Sequence, residues 1–403
     1  YTLLLLAKCQ FKDLHSLNKT ALLVVKKIKN LVIANCVFNN AAVPLISGEM
    51  IKHTEIKGIC VEDINTFGKE PVFDLVNIQE MFVQRSKFAN LEKAVYNVEL
   101  ATRMKFQNSI FKTCKNAISY IIKEIKKSVR LLIINVKFLN CNSNGRGAAI
   151  TISDVKKHGH IVPHLSNELT GLFQILINKA FFENCSSNNN GGALSVAFCH
   201  IITIQNSAFI KNQVVTKGGA LFIKDSANIS LIKCLFVYNI IIKSEIEDEQ
   251  SGQKRKVELK GGAAYICNPK QLSVIMCTLR HNKGFKTPVN RIEIQYSRRE
   301  EGCGALYIYG LDNNINRMSG HRVIIMNSRF LYNTALKDGG ALFVKSCNSI
   351  LLHNSTFMTN IVLNKGAAVF IQYSSAVSFL NCLFMHNRII GGFYAGEGGA
   401  AIK

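Results

Sequence analysis

Along most of the chain, apolar and polar residues alternate in short runs, as in IITIQ at 201–205, NISLI at 228–232 and SILLH at 349–353. β-Branched and aromatic residues take every second position, and Asn, Ser, Gly or Lys mark the breaks. A period of two over four to six residues predicts short strands with one face buried, and no segment longer than about ten residues holds a helical period.

The strands recur in a fixed order, and the period decides the fold. Aligned on one aromatic position, copies fall at Phe11, Phe38, Phe88, Phe111, Phe138, Phe181, Phe209, Phe236, Leu279, Phe330, Phe357 and Phe384. Asn follows three positions later at Asn184, Asn212, Asn239, Asn282, Asn333, Asn360 and Asn387. The commonest spacing is 27 residues, and the interval from Phe38 to Phe88 leaves room for one degenerate copy near IKGICVEDI. A second motif, seen in GGALSV, GGALFI, GGAAYI and GCGALYI, follows the copies only after position 144.

A 27-residue unit of two or three short strands and tight turns closes one coil, with strands rising roughly 3.3 Å per residue. One coil cannot bury its apolar row alone. Stacking at about 4.8 Å per coil pairs each strand above and below and makes a continuous interior column. The expected architecture is therefore all-β: a right-handed, single-stranded parallel β-helix of about 13 coils, on the order of 60 Å long. Phe at a fixed coil position builds an aromatic stack in this reading. Asn three residues later accepts left-handed backbone angles and forms an amide ladder, and Gly-Gly-Ala makes a sharp turn.

Residues 1–144 read as degenerate coils and 145–403 as regular ones, together one continuous domain. Insertions at 153–170, 241–260 and 283–301 are expected to project as loops. The chain starts at Tyr1 and ends in Ala-Ile-Lys straight after a glycine motif, which reads as a piece of a longer protein. A signal peptide or membrane anchor would then lie outside it.

Units such as Phe209-Ile210-Lys211-Asn212 followed by Gly218-Gly219-Ala220-Leu221 resemble the repeats of the chlamydial polymorphic outer-membrane proteins. Similar repeats occur in large surface proteins of ciliates and other protists. The resemblance covers residues 138–402 best. It implies a pectin-lyase-like β-helix exposed at a cell surface and acting in adhesion. No segment resembles the autotransporter barrel of the bacterial proteins, and the Lys/Asn/Ile-rich composition suits an AT-rich protist genome.

Charge and cysteine content change this picture little. The chain has 49 Lys and Arg against 26 Asp and Glu, a net charge of +23 that attracts polyanions. The basic residues are nevertheless scattered, the densest stretches being KKIK at 26–29, KEIKKSVR at 123–130 and KRK at 254–256. The aromatic residues belong to the core period, so no interleaved stacking platform for nucleic acid is expected. Of the 13 cysteines, Cys9, Cys36, Cys234, Cys277 and Cys382 stand two residues before the aromatic position. Other copies carry Ser86, Ser109, Ser207, Ser328 or Ser355 there, so these cysteines read as small buried residues with free thiols. Cys9 and Cys36, one period apart, are the pair within disulfide reach.

β-Helices also host polysaccharide lyases and hydrolases, whose chemistry needs clustered carboxylates. Glu245, Glu247, Asp248 and Glu249 share one charged insertion, while Asp225 and Asp338 flank different glycine motifs. No acidic residue recurs at one coil position. No catalytic residue, cofactor site or metal site is therefore assigned, and His158, His160 and His164 read as an ordinary loop. Sequons at Asn18, Asn184, Asn228 and Asn354 would accept glycans in a eukaryotic secretory route. The functional expectation is a non-enzymatic, extracellular or surface-bound structural or adhesive protein that self-associates or binds surface proteins and glycans. The alternative is a β-helix that binds or degrades acidic glycans.

Overall fold

A computed structural model describes residues 3–14, 21–65, 70–122, 128–154, 172–242, 245–247, 254–256, 260–285, 302–310, 320–336, 338–390 and 402. Among them there is no helix. Three long parallel sheets of 13, 13 and 12 strands run the length of a single-stranded parallel β-helix. Each strand pairs with its equivalent one coil earlier and one coil later, from Leu3–Ala7 in the first coil to Ala376–Leu380 in the thirteenth.

The coils of the first third are not irregular; they alternate in length. First-sheet register pairs Leu3 with Asn30, Asn30 with His53, His53 with Glu80, and Glu80 with Arg103. The coils therefore measure 27, 23, 27 and 23 residues, from 30 − 3, 53 − 30, 80 − 53 and 103 − 80. The short coils save their residues between the second and third strands, as between Val37–Ala41 and Ile46–Glu49. Val61, in the stretch expected to hold a degenerate copy, pairs with both Phe38 and Phe88.

From the sixth coil onward the corner changes. The second-sheet strand shortens to three residues and a two-residue strand follows, as in Lys137–Leu139 and Asn142–Ser143. These short strands form two further parallel sheets of four and three strands. The glycine motif closes the corner before the third sheet. Gly218 sits at φ +68, and a Cβ on Gly219 would collide with the carbonyl oxygen of Gly262 in the next coil. Two glycines in succession therefore meet two separate demands, backbone handedness and close approach.

The interior is a column of stacked side chains. Phe11 and Phe38, then Phe88, Phe111, Phe138, Phe182, Phe209 and Phe236, then Phe330, Phe357 and Phe384 stack face to face. Centroids lie 4.6–5.1 Å apart, the rise of one coil. Phe182, not Phe181, occupies the stack in the seventh coil. Phe181 points to the opposite face, in register with Lys137 and Ala208. With two adjacent phenylalanines, a one-residue slip exchanges the inward and outward sets, and register with Phe138 fixes the choice.

This correction moves the Asn ladder as well. Three residues after Phe182 stands Cys185, whereas Asn184 is exposed at a corner with φ +52. Positive φ falls two residues after the aromatic position, at Asn140, Asn184, Lys211, Tyr238, His281, Tyr332, Thr359 and His386. The Asn at the third position is buried instead, and Asn212, Asn239, Asn282, Asn333 and Asn360 are fully covered.

Of the three insertions, 241–260 forms an antiparallel hairpin in its described part, Glu245–Glu247 opposite Lys254–Lys256. Residues 155–171 and 286–301 lie outside the described residues, and so do His158, His160 and His164. The long coil around Leu279 carries extra residues in a second place. Residues 310–321 separate Leu306–Tyr309 from Arg322–Met326, where the next coil needs only 346–348.

Candidate functional site

The inward polar column shows how much of the sequence is spent on holding the coils together. The Nδ2 of Asn212 donates to the carbonyl of Phe182 one coil earlier at 3.1 Å and to Oδ1 of Asn239 one coil later at 3.0 Å. The backbone N–H of Asn212 donates to that same Oδ1 at 3.0 Å. The pattern repeats through Asn239, Asn282, Asn333 and Asn360 and ends at Asn387. Upstream, cysteines take over the same position. The thiols of Cys114, Cys141 and Cys185 donate to the carbonyls of Phe88, Phe111 and Phe138. Thiol and amide thus serve one purpose, a buried donor for the preceding coil's aromatic carbonyl.

Ser and Cys exchange at a second inward position. Ser86, Ser109, Ser207, Ser328 and Ser355 donate to a carbonyl two residues back, as Cys9, Cys36, Cys234, Cys277 and Cys382 do through sulfur. All 13 thiols, including Cys9 and Cys36, are free, and ten are buried. Burial pushes Cys199, Cys303 and Cys347 up to about 12, which holds them as unreactive thiols near neutral pH.

Outward carboxylates are likewise engaged from coil to coil. Asp13, Asp63, Asp74, Asp225 and Asp338 each accept from an Asn amide: Asn40, Asn90, Asn97, Asn268 and Asn364 respectively, at 2.6–2.9 Å. Glu62 accepts from Lys87 at 2.5 Å, which lowers the Glu62 carboxyl pKa. The sequon residues that are described lie on the surface. Asn184 and Asn354 stand at corners and Asn228 opens a first-sheet strand, all three exposed, whereas Asn18 lies outside the described residues.

Two aromatic rows run along the outside, neither anticipated from the sequence because the Phe period concealed them. Phe222, Tyr265, Tyr307 and Phe343 stack on the outer face of the third sheet at 4.6–5.4 Å. The ammonium groups of Lys217 and Lys260 lie 5.4 and 5.3 Å from the rings of Tyr265 and Tyr307. This row is buried, Tyr307 and Phe343 completely. The second row, Tyr238, His281 and Tyr332, stacks at 4.9 and 5.0 Å on an exposed corner. Both faces of the His281 ring and one face each of Tyr238 and Tyr332 are used in the stack.

A shallow hollow on the first sheet has a volume of about 320 Å³. Across successive coils the register sets His53, Glu80, Arg103, Arg130 and Gln174 side by side. Glu80, Arg103, Arg130 and Gln174 line the hollow, with Thr102, Ser128 and Leu172 at its corner. Glu80 is held between His53 Nδ1 at 3.4 Å and Arg103 at 3.1 Å. Among the described residues Arg130 makes no ion pair, and it ends KEIKKSVR, one of the three densest basic stretches of the sequence. The stretch is visible in the sequence and the hollow is not, because only the register brings Glu80 and Gln174 beside it.

Compared with protein-family models, curated proteins and solved structures, the chain matches none.

Proposed function

We propose that this chain is a structural or adhesive β-helix of a cell surface or extracellular layer, without catalytic activity, acting through self-association or by binding surface glycans. The observation that carries the reading is the use made of polar side chains. Buried amides and outward Asp and Asn are committed to the equivalent position of the neighbouring coil, and buried thiols to the preceding coil's carbonyls. Such repetition builds a long, regular rod whose exposed faces serve contact. The resemblance to surface-protein repeats points the same way, as do three exposed sequon residues.

The test is electron microscopy of the native protein and immunogold labelling of its source cells, combined with a reducing-end assay on acidic and neutral polysaccharides. Surface labelling with filaments, arrays or adhesion, and no new reducing ends, is the expected result. Intracellular labelling, or cleavage of a polysaccharide, would overturn it. The arginine-lined hollow favours glycan binding as the second reading.

A further inference from the structure

We propose that the hollow around Arg103 and Arg130 binds an acidic oligosaccharide, its carboxylate or sulfate group seated between the two guanidinium groups. The inference rests on the glycan-binding side of the reading above.

One row of side chains across the first sheet is unbalanced in charge. Arg103 and Arg130 are register partners on adjacent parallel strands, so two like charges stand about one strand spacing apart, roughly 4.8 Å at the backbone. Directly opposed like charges destabilise a sheet. Glu80 offsets Arg103 from the far side, at 3.1 Å, but the next neighbour of Arg130 is the neutral Gln174. Among the described residues the row therefore carries an uncompensated cation at Arg130, facing a concavity rather than a flat sheet. A bound anion would offset the repulsion. Guanidinium groups match the planar oxygens of a carboxylate or sulfate in a way that a scattered set of lysines does not.

The remaining lining identifies a sugar rather than a lone ion. Ser128 offers a hydroxyl proton, Thr102, whose own proton goes to the Gln79 carbonyl, a hydroxyl oxygen, and Gln174 an amide, together both donors and acceptors for sugar hydroxyls. Leu172 is 43% exposed at the same corner and gives an apolar surface for the C–H face of a ring. A volume of about 320 Å³ is at the small end of ligand pockets and exceeds what a single ion needs. Nucleic acid fits less well, because no aromatic side chain lines the hollow to stack a base.

The test is isothermal titration calorimetry of the whole chain with an oligogalacturonate hexasaccharide, a sulfated hexasaccharide, neutral cellohexaose and inorganic phosphate. At least one acidic hexasaccharide should bind, and the tighter of the two names the anionic group; cellohexaose and phosphate should not bind detectably. Arg130→Gln should weaken binding by about ten-fold, the loss of one charge-assisted contact, and Arg130→Lys by less. Glu80→Gln frees Arg103 and should strengthen binding. Lys233→Gln, on an exposed corner of the same sheet, should change it little. Circular dichroism checks that each variant keeps its strand content.

Equal losses from Arg130→Gln and Lys233→Gln would show attraction by net charge alone and overturn the site. So would weakening by Glu80→Gln, binding of phosphate as tight as that of the sugar, or no binding by either acidic hexasaccharide. Failure here with surface labelling intact would remove the glycan ligand and leave the structural reading standing.

Discussion

At the residue scale, the molecule repeatedly solves one problem: how to satisfy polar atoms inside a narrow apolar column. Asn282 is a clear case. It donates to the carbonyl of Phe236 and to Asn333 Oδ1, and it accepts from both nitrogens of Asn239. Asn282→Ala leaves several buried groups unpaired, each costing about 1–3 kcal/mol, so a total loss of about 3 kcal/mol or more is expected in urea unfolding. A loss below about 1 kcal/mol would show that water enters the column and replaces the ladder. Tyr96 is the converse case. Its hydroxyl is fully buried without a hydrogen-bond partner, and burial raises its pKa well above that of an ordinary phenol. Its ring stacks on Phe73 with centroids 4.8 Å apart. Tyr96→Phe keeps the ring and removes the orphaned hydroxyl, so unfolding at the same or slightly higher urea concentration is the expected outcome.

At the element scale, strands and coil number were legible in the sequence because one period of two fixes a strand face and one longer period fixes a coil. The ambiguity at Phe181 and Phe182 was not legible, since either residue satisfies the motif and only pairing with Phe138 separates them. The hollow was not legible either, because His53, Glu80, Arg103, Arg130 and Gln174 are brought together by coils of unequal length. Corners are predicted to be the least tolerant elements. Gly219→Ala forces a Cβ into the carbonyl of Gly262 and should cost more than about 2 kcal/mol, whereas Gly320→Ala, with open space around it, should be neutral.

One pairing between neighbouring coils is also sensitive to pH. His200 Nδ1 accepts the backbone N–H of Phe173 at 3.2 Å, which requires a neutral ring. Burial first, and then the nearby Lys270, lower its pKa. A depressed imidazole contributes stability that is fully present above its ordinary value of about 6.5 and is lost as pH falls through the lowered folded value. The thermal midpoint should therefore fall on acidification from neutral pH, with a smaller fall in His200→Gln. An equal fall in the variant would assign the effect to other groups.

At the scale of the whole molecule, rise along the rod counts coils rather than residues. Insertions add chain length without adding height. Glu55, Thr203, Ser273 and Leu351 occupy the same outward first-sheet position in the third, eighth, tenth and twelfth coils. Pulsed electron–electron spin resonance tests this most directly, with a label at Glu55→Cys paired in turn with Thr203→Cys, Ser273→Cys and Leu351→Cys. The half-exposed Cys9, Cys60 and Cys382 are replaced by Ser, while the ten buried thiols stay unlabelled in the folded chain. The β-helix predicts distances of about 24, 34 and 43 Å, linear in coil number at about 4.8 Å per coil. Distances that fail to increase in that order, or that follow residue number instead, would contradict a single continuous helix.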